Sequence, residues 1–149
     1  MGRHSGQPRN QADEQHALQW IFQILGEPVP QGAFEDILQD GDVLCRFMQK
    51  IRPDLMPKYK KYEMAAKQRE NVAMFSKCCE QMGVRDTDLF QTIDLFERKD
   101  PVAVANCISR LGSILQKQRP DLPTHGPKLA EGQAREFSTE QLAPGRMFY

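Results

Sequence analysis

The stretch DGDVLCRFMQKIRP, residues 40–53, decides how this chain reads. Asp40-Gly41-Asp42 is a turn signal. Behind it, Val43, Leu44, Phe47, Met48 and Ile51 recur at three- and four-residue spacing, the period of a helix with one buried face. Pro53 stops that helix, because proline has no N–H and its ring clashes with the preceding turn. Asp40 is expected to cap the helix, where an anion meets the positive end of the dipole.

The same period recurs on both sides. Upstream, Ala17, Ile21, Ile24 and Leu25 form an apolar stripe, widened by Leu18 and Phe22, so this first helix is expected to be buried on more than one side. Asn10 with Asp13 three residues on reads as a capping pair for its start. Gly26, Pro28 and Pro30 end it. Phe34, Ile37 and Leu38 fit one short turn of helix. Downstream, Val72, Phe75, Cys79 and Met82 predict a third long helix over 69–82, closed by Gly83. Asp86 to Phe96 reads as irregular or short-helical, with Asp94 a structural cap or hydrogen-bond partner. Asp100-Pro101 opens a fourth long helix, with Asp at the cap and Pro at the first helical position. Its inward stripe is Val104, Ile108, Leu111 and Leu115. No segment alternates as a strand does. The fold class is all-α: four main helices with short connecting helices, and a core including Trp20, Leu44, Phe47, Phe75, Leu95 and Leu111.

This places a flexible N-terminus at 1–10 and a helical domain at 11–118. From 119 to 149 the sequence carries four prolines, three glycines and few apolar anchors, and reads as a mostly disordered tail. The chain has 149 residues, enough for one domain with a self-sufficient core. No apolar run approaches a membrane span, and the polar first ten residues do not resemble a secretory signal. A cytoplasmic protein is expected. Cys45, Cys78, Cys79 and Cys107 sit inside helical patterns without a CxxC pair and read as buried, reduced thiols. His4, His16 and His125 have no metal-ligand spacing with them. No catalytic motif is present, so the reading is a non-enzyme without cofactor or metal.

Formal net charge is zero, which offers no long-range pull toward nucleic acid or a membrane. The charge is unevenly placed, however. Residues 52–69 carry six basic and two acidic side chains, whereas 70–100 is net acidic by three. Lys58, Lys60, Lys61, Lys67 and Arg69, interleaved with Tyr59 and Tyr62, make the candidate contact surface. The lysines would attract an acidic partner, and the tyrosines could serve as anchors or pin the loop to the core. A solvated lysine-rich loop is the competing reading.

Four stretches in order resemble the calponin-homology family. DGDVLCRF (40–47) is similar to its Asp-Gly turn and following helix, and ENVAMF (70–75) to its Glu-Asn-apolar helix start. DLFQTIDLFERKD (88–100) resembles the segment before the last helix in calponins, transgelins and invertebrate muscle proteins of that group, and SRLGSIL (109–115) the last helix itself. REFSTEQL (135–142) resembles the lead-in to the calponin-like repeat. Family members continue into Gly-Leu-Gln-x-Gly and Asn-Lys-Gly-Ala-Ser. Here residues 143–149 read APGRMFY, so strong direct F-actin binding is not expected from a repeat. The resemblance implies a monomeric, cytoskeleton-associated binding module whose partner is F-actin or an actin-associated protein. The alternative is an adaptor docking a kinase or other signalling protein. Microtubule binding is a third option, set back by the absence of any heptad run after the domain.

Overall fold

A computed structural model describes residues 9–127. Six helices follow one another: α1 (Gln11–Leu25), α2 (Phe34–Leu38), α3 (Asp42–Ile51), α4 (Ala65–Met82), α5 (Thr92–Phe96) and α6 (Pro101–Gln118). A single 3₁₀ turn covers Asp86–Asp88. The architecture is the all-helical one expected, with four long helices and two short ones. No strand occurs among the described residues.

The caps explain the boundaries. Asn10 Oδ1 accepts the Asp13 N–H at 3.1 Å and opens α1. Asp100 Oδ1 does the same for the Ala103 N–H at 3.1 Å and opens α6, with Pro101 first in the helix. Asp94 Oδ2 accepts the Gln91 N–H at 2.8 Å, so Asp94, the third residue of α5, completes a capping box with the cap residue Gln91. The opening of α3 differs from expectation. Gly41, not Asp40, is the cap residue; Asp40 stands one residue earlier, and its Oδ1 accepts the Asp42 N–H at 2.9 Å. Gly41 has φ +80°, and a Cβ there would lie 3.0 Å from the Val72 backbone nitrogen, so only glycine lets α3 start this close to α4.

The third long helix starts at Ala65 rather than at 69. Its first turn is exposed and shows no apolar stripe, which hides it from a periodicity reading. Ala65, Ala66, Lys67 and Gln68 are all strong helix formers, and propensity carries that turn.

α1 packs on α3 and α6, α3 on α4, and α5 bridges α4 and α6. Trp20, Leu44, Phe47, Phe75, Leu95 and Leu111 are all buried. The Trp20 ring meets Phe47 edge-to-face at 4.9 Å, a favoured aromatic geometry. The four cysteines are buried and free. Burial pushes the Cys45 thiol up to about 12 and raises those of Cys78 and Cys79, which leaves them protonated and unreactive.

Arg9 staples the start of the domain. Its guanidinium makes a fork to Glu14 at 2.9 Å through both nitrogens and reaches Glu35 at 2.7 and 3.0 Å. Glu14 on α1 and Glu35 on α2 are both buried, and hydrogen bonding to Arg9 holds the Glu35 carboxyl below its usual range. Arg9→Ala leaves two buried carboxylates without their cation. The expected loss is about 1–2 kcal/mol, discounted because Arg9 itself is partly exposed. A depressed carboxylate stabilises the fold above its unfolded pKa and ceases to as pH falls through the folded value. The gap between wild type and variant in urea melts should therefore close as pH drops below about 4.5, the ordinary Glu value. A gap of constant size from about pH 7 down through that range would assign the loss to packing instead.

The irregular segment begins differently from the reading that starts a disordered tail at 119. Residues 119–127 lie across α1 and α6 as a strap. Arg119 donates to the Ile51 carbonyl at 2.8 Å, Leu122 packs on the core, and Trp20 Nε1–H donates to the Pro123 carbonyl at 2.7 Å. The His125 ring stacks on Trp20 at 5.1 Å. Gln116 Nε2 reaches the His125 and Gly126 carbonyls at 3.2 and 3.1 Å, and Ser113 Oγ donates to that of Pro127. Residues 128–149, where the rest of the tail expectation falls, lie outside the described residues, as do 1–8.

Candidate partner interface

Residues 52–64 run back from the end of α3 to the start of α4, and their conformation is pinned from beneath. Tyr59 is partly buried, and its OH donates to Asp42 Oδ1 at 2.6 Å. Burial, then that carboxylate acceptor, raises the Tyr59 phenol, so it stays a neutral donor. Asn71 Nδ2 donates to the Lys60 carbonyl at 3.2 Å, and Gln68 Nε2 to the Tyr62 carbonyl at 3.0 Å. Asn71 in turn accepts the Cys45 S–H at its own carbonyl, 3.2 Å away. Of the two tyrosines, then, Tyr59 is committed to holding the loop.

The held loop presents its lysines outward. Lys58, Lys60 and Lys61 are exposed, and none forms an ion pair with a described residue. Lys60 and Lys67 sit over the Tyr62 ring at 5.5 and 5.8 Å from its centroid, so the half-buried ring gathers two cations. Lys67 also meets Glu70 at 3.6 Å. Arg52 is engaged, bound to Asp54 at 2.7 and 2.9 Å and to Gln118 at 3.0 Å.

Arg69 does not join this cluster. Residues two apart on a helix point about 200° apart, and Arg69 turns toward α5, where its guanidinium lies 4.7 Å from the centre of the Phe96 ring. The structure thus brings Lys58, Tyr59, Lys60, Lys61, Tyr62 and Lys67 to one side of α4 and sends Arg69 to the other.

Two residues of this face escape a reading of charge. Met64 is 64% exposed and Met74 is 42% exposed, and they flank the lysines along α4. The available signal was positional. Met64 caps a helix whose true start was missed, and Met74 lies seven residues past Lys67, on the same helical face. Among the described residues, no helix is long and apolar enough to cross a membrane, and no group of three or more His, Cys, Asp or Glu is placed to hold a metal ion.

This arrangement can hold a macromolecular surface by charge and apolar contact. The calponin homology (CH) domain family matches residues 11–117. The chain is similar to muscle-specific protein 20 of Drosophila melanogaster, 39% identical over 140 residues covering 93% of this chain and 76% of that protein. It is equally similar to myophilin of Echinococcus granulosus, 39% identical over 142 residues, covering 93% and 74%. Among solved structures, the calponin-homology domain of Rng2 from Schizosaccharomyces pombe superposes with a TM-score of 0.64 at 28% identity, over 87% of this chain and 76% of that one. That of an IQGAP protein from the same yeast gives 0.64 at 26% identity, with the same coverage. With the helix order, the capped last helix and relatives of this identity all in agreement, the chain belongs to the calponin-homology family, in the group of the calponins, transgelins and muscle protein 20.

Proposed function

We propose that this protein is a binding module without chemistry of its own that attaches to actin filaments through the lysines of the loop between α3 and α4 and the adjoining Lys67. In that role it organises filaments or tunes contractility in the cytoplasm of contractile cells. The observation that supports this most is the set of exposed, unpaired lysines Lys58, Lys60 and Lys61, held in a fixed loop by Tyr59 and Asn71. A fixed loop loses less conformational freedom on binding than a floppy one, so more of its contact energy appears as affinity. The muscle-specific relative favours the same setting.

Each exposed charge pair contributes about 0–1 kcal/mol and is screened over about 10 Å at 0.1 M salt. Binding should therefore be modest and salt-dependent. Reversing Lys58, Lys60 and Lys61 to Glu is expected to weaken filament co-sedimentation about tenfold or more at low salt, on the order of 0.5 kcal/mol per lost pair or greater. Helicity should be unchanged, because these side chains project into solvent. Pelleting equal to wild type would remove the loop from the mechanism. If wild type itself stays in the supernatant at low and moderate salt while a repeat-containing relative pellets, direct actin binding fails. The adaptor reading, in which a signalling protein is docked instead, then takes its place.

A further inference from the structure

The lysines of the interface are accompanied by apolar surface, and the two are arranged in a line. Met64 stands at the N-cap of α4, and Lys67 and Met74 follow seven residues apart along one side of the helix, with Glu70 and Lys77 beside them. Seven residues make nearly two full turns, so Lys67 and Met74 stack one above the other. From Met64 to Met74 the row spans about 15 Å, at about 1.5 Å per residue. Tyr62 borders it, with the Lys60 and Lys67 ammonium groups over its ring.

Among the described residues only Met64, Met74 and Ile93 are large hydrophobic side chains with high exposure, and two of the three are in this row. Water contact with a methionine side chain is unfavourable, and α4 has a separate buried face. That face holds Val72, Phe75, Cys79 and Met82 and needs neither Met64 nor Met74. Methionine and tyrosine are enriched where proteins meet partners, and a flexible thioether adapts to the surface opposite.

Resting on the filament-binding reading above, we infer that the α4 row is the dry part of the interface. The partner surface it fits is acidic and carries an apolar contact row about 15 Å long, which lies along Met64 and Met74 while its carboxylates meet Lys58, Lys60 and Lys61. Glu70 is neutralised within the row by Lys67, 3.6 Å away, so it does not repel such a partner. Charge gives this contact its approach and its salt dependence. The methionines give it a component that salt does not screen.

The test is filament co-sedimentation over a salt series with three proteins: wild type, Met64→Gln/Met74→Gln, and Lys58→Glu/Lys60→Glu/Lys61→Glu. Glutamine keeps length and helix propensity, and both sites are exposed, so the fold should stand; circular dichroism checks it. The methionine variant is expected to bind about tenfold more weakly at every salt concentration, with the salt slope of wild type. The lysine variant is expected to lose the slope and keep a weak, salt-insensitive remnant. A methionine variant that matches wild type throughout overturns the inference and leaves the lysine-based function standing. A lysine variant that matches wild type while the methionine variant fails shows a dry interface without steering, and overturns the acidic partner. Absence of wild-type binding at all salts overturns both the function and the row as its interface.

Discussion

Gly112→Ala is expected to lift residues 122–127 off the helical body, read as a red shift in the emission of Trp20, the one tryptophan in the chain. The His125 backbone runs across α6 at Gly112, and a methyl group placed there would overlap the His125 carbonyl. Neither the rigid helix nor the strap backbone can give way as a flexible side-chain end would. Overpacking of this kind costs about 1–3 kcal/mol. Once the strap leaves, Trp20 loses its hydrogen bond to Pro123 and its stacking partner, and the indole meets water. The sign makes the prediction sharp. In an open helix interior the same change stabilises by about 1 kcal/mol. A variant with wild-type emission and a higher melting temperature would show that the strap does not depend on this notch.

The same strap is expected to respond to pH. Burial, then the neighbouring charge of His16, lowers the His125 pKa, while Asp13 opposes the shift. A histidine depressed in the docked state binds its proton more readily once released. Docking is therefore favoured at pH above the ordinary value of 6.5 and weakens as pH falls below it. Trp20 emission should move with pH in that window in wild type.

The helical architecture was legible because burial leaves a period in the sequence. Val43 to Ile51 and Val104 to Leu115 face the core at three- and four-residue spacing, and Asp100-Pro101 marks a start that needs no tertiary information. What stayed hidden was set by contacts without period. The exposed first turn of α4 carries no stripe, so periodicity starts that helix four residues late and gives no sign that Met64 is surface. The strap was concealed by composition. LPTHGP reads as irregular, and it is irregular, but its carbonyls are taken up by Trp20 from the distant α1 and by Gln116 from the helix just before it. Only the row Ser109, Gly112, Ser113 and Gln116 on α6 hinted at it. Small and polar residues at helical spacing leave room for a backbone to approach. The lysines of the loop were plain in the sequence. That Tyr59 and Asn71 hold them, and that Arg69 turns to Phe96, required the packing of α3, α4 and α5.

Leu111 stands one residue before Gly112 and about 100° around the helix from it, so substitution there tests the core-facing side of α6 and not the strap side. Leu111 is fully buried in the stripe with Val104, Cys107, Ile108 and Leu115, where α6 meets α1, α4 and α5. Leu111→Ala removes three carbons from a close-packed site and leaves a void that neighbouring helices cannot fill without moving. The expected loss is about 2–5 kcal/mol. That is a large share of the roughly 5–15 kcal/mol that holds a domain of this size. It corresponds to a fall in Tm of at least about 6 °C. The two variants should separate by readout. Leu111→Ala lowers the urea midpoint steeply, yet its native emission stays that of wild type, because the strap and its notch lie on the other face. Gly112→Ala changes the native emission first. If Leu111→Ala melts with wild type, the inward stripe of α6 is misassigned. If it shifts native emission as Gly112→Ala does, the two faces are one mechanical unit, and strap docking follows core packing rather than the notch.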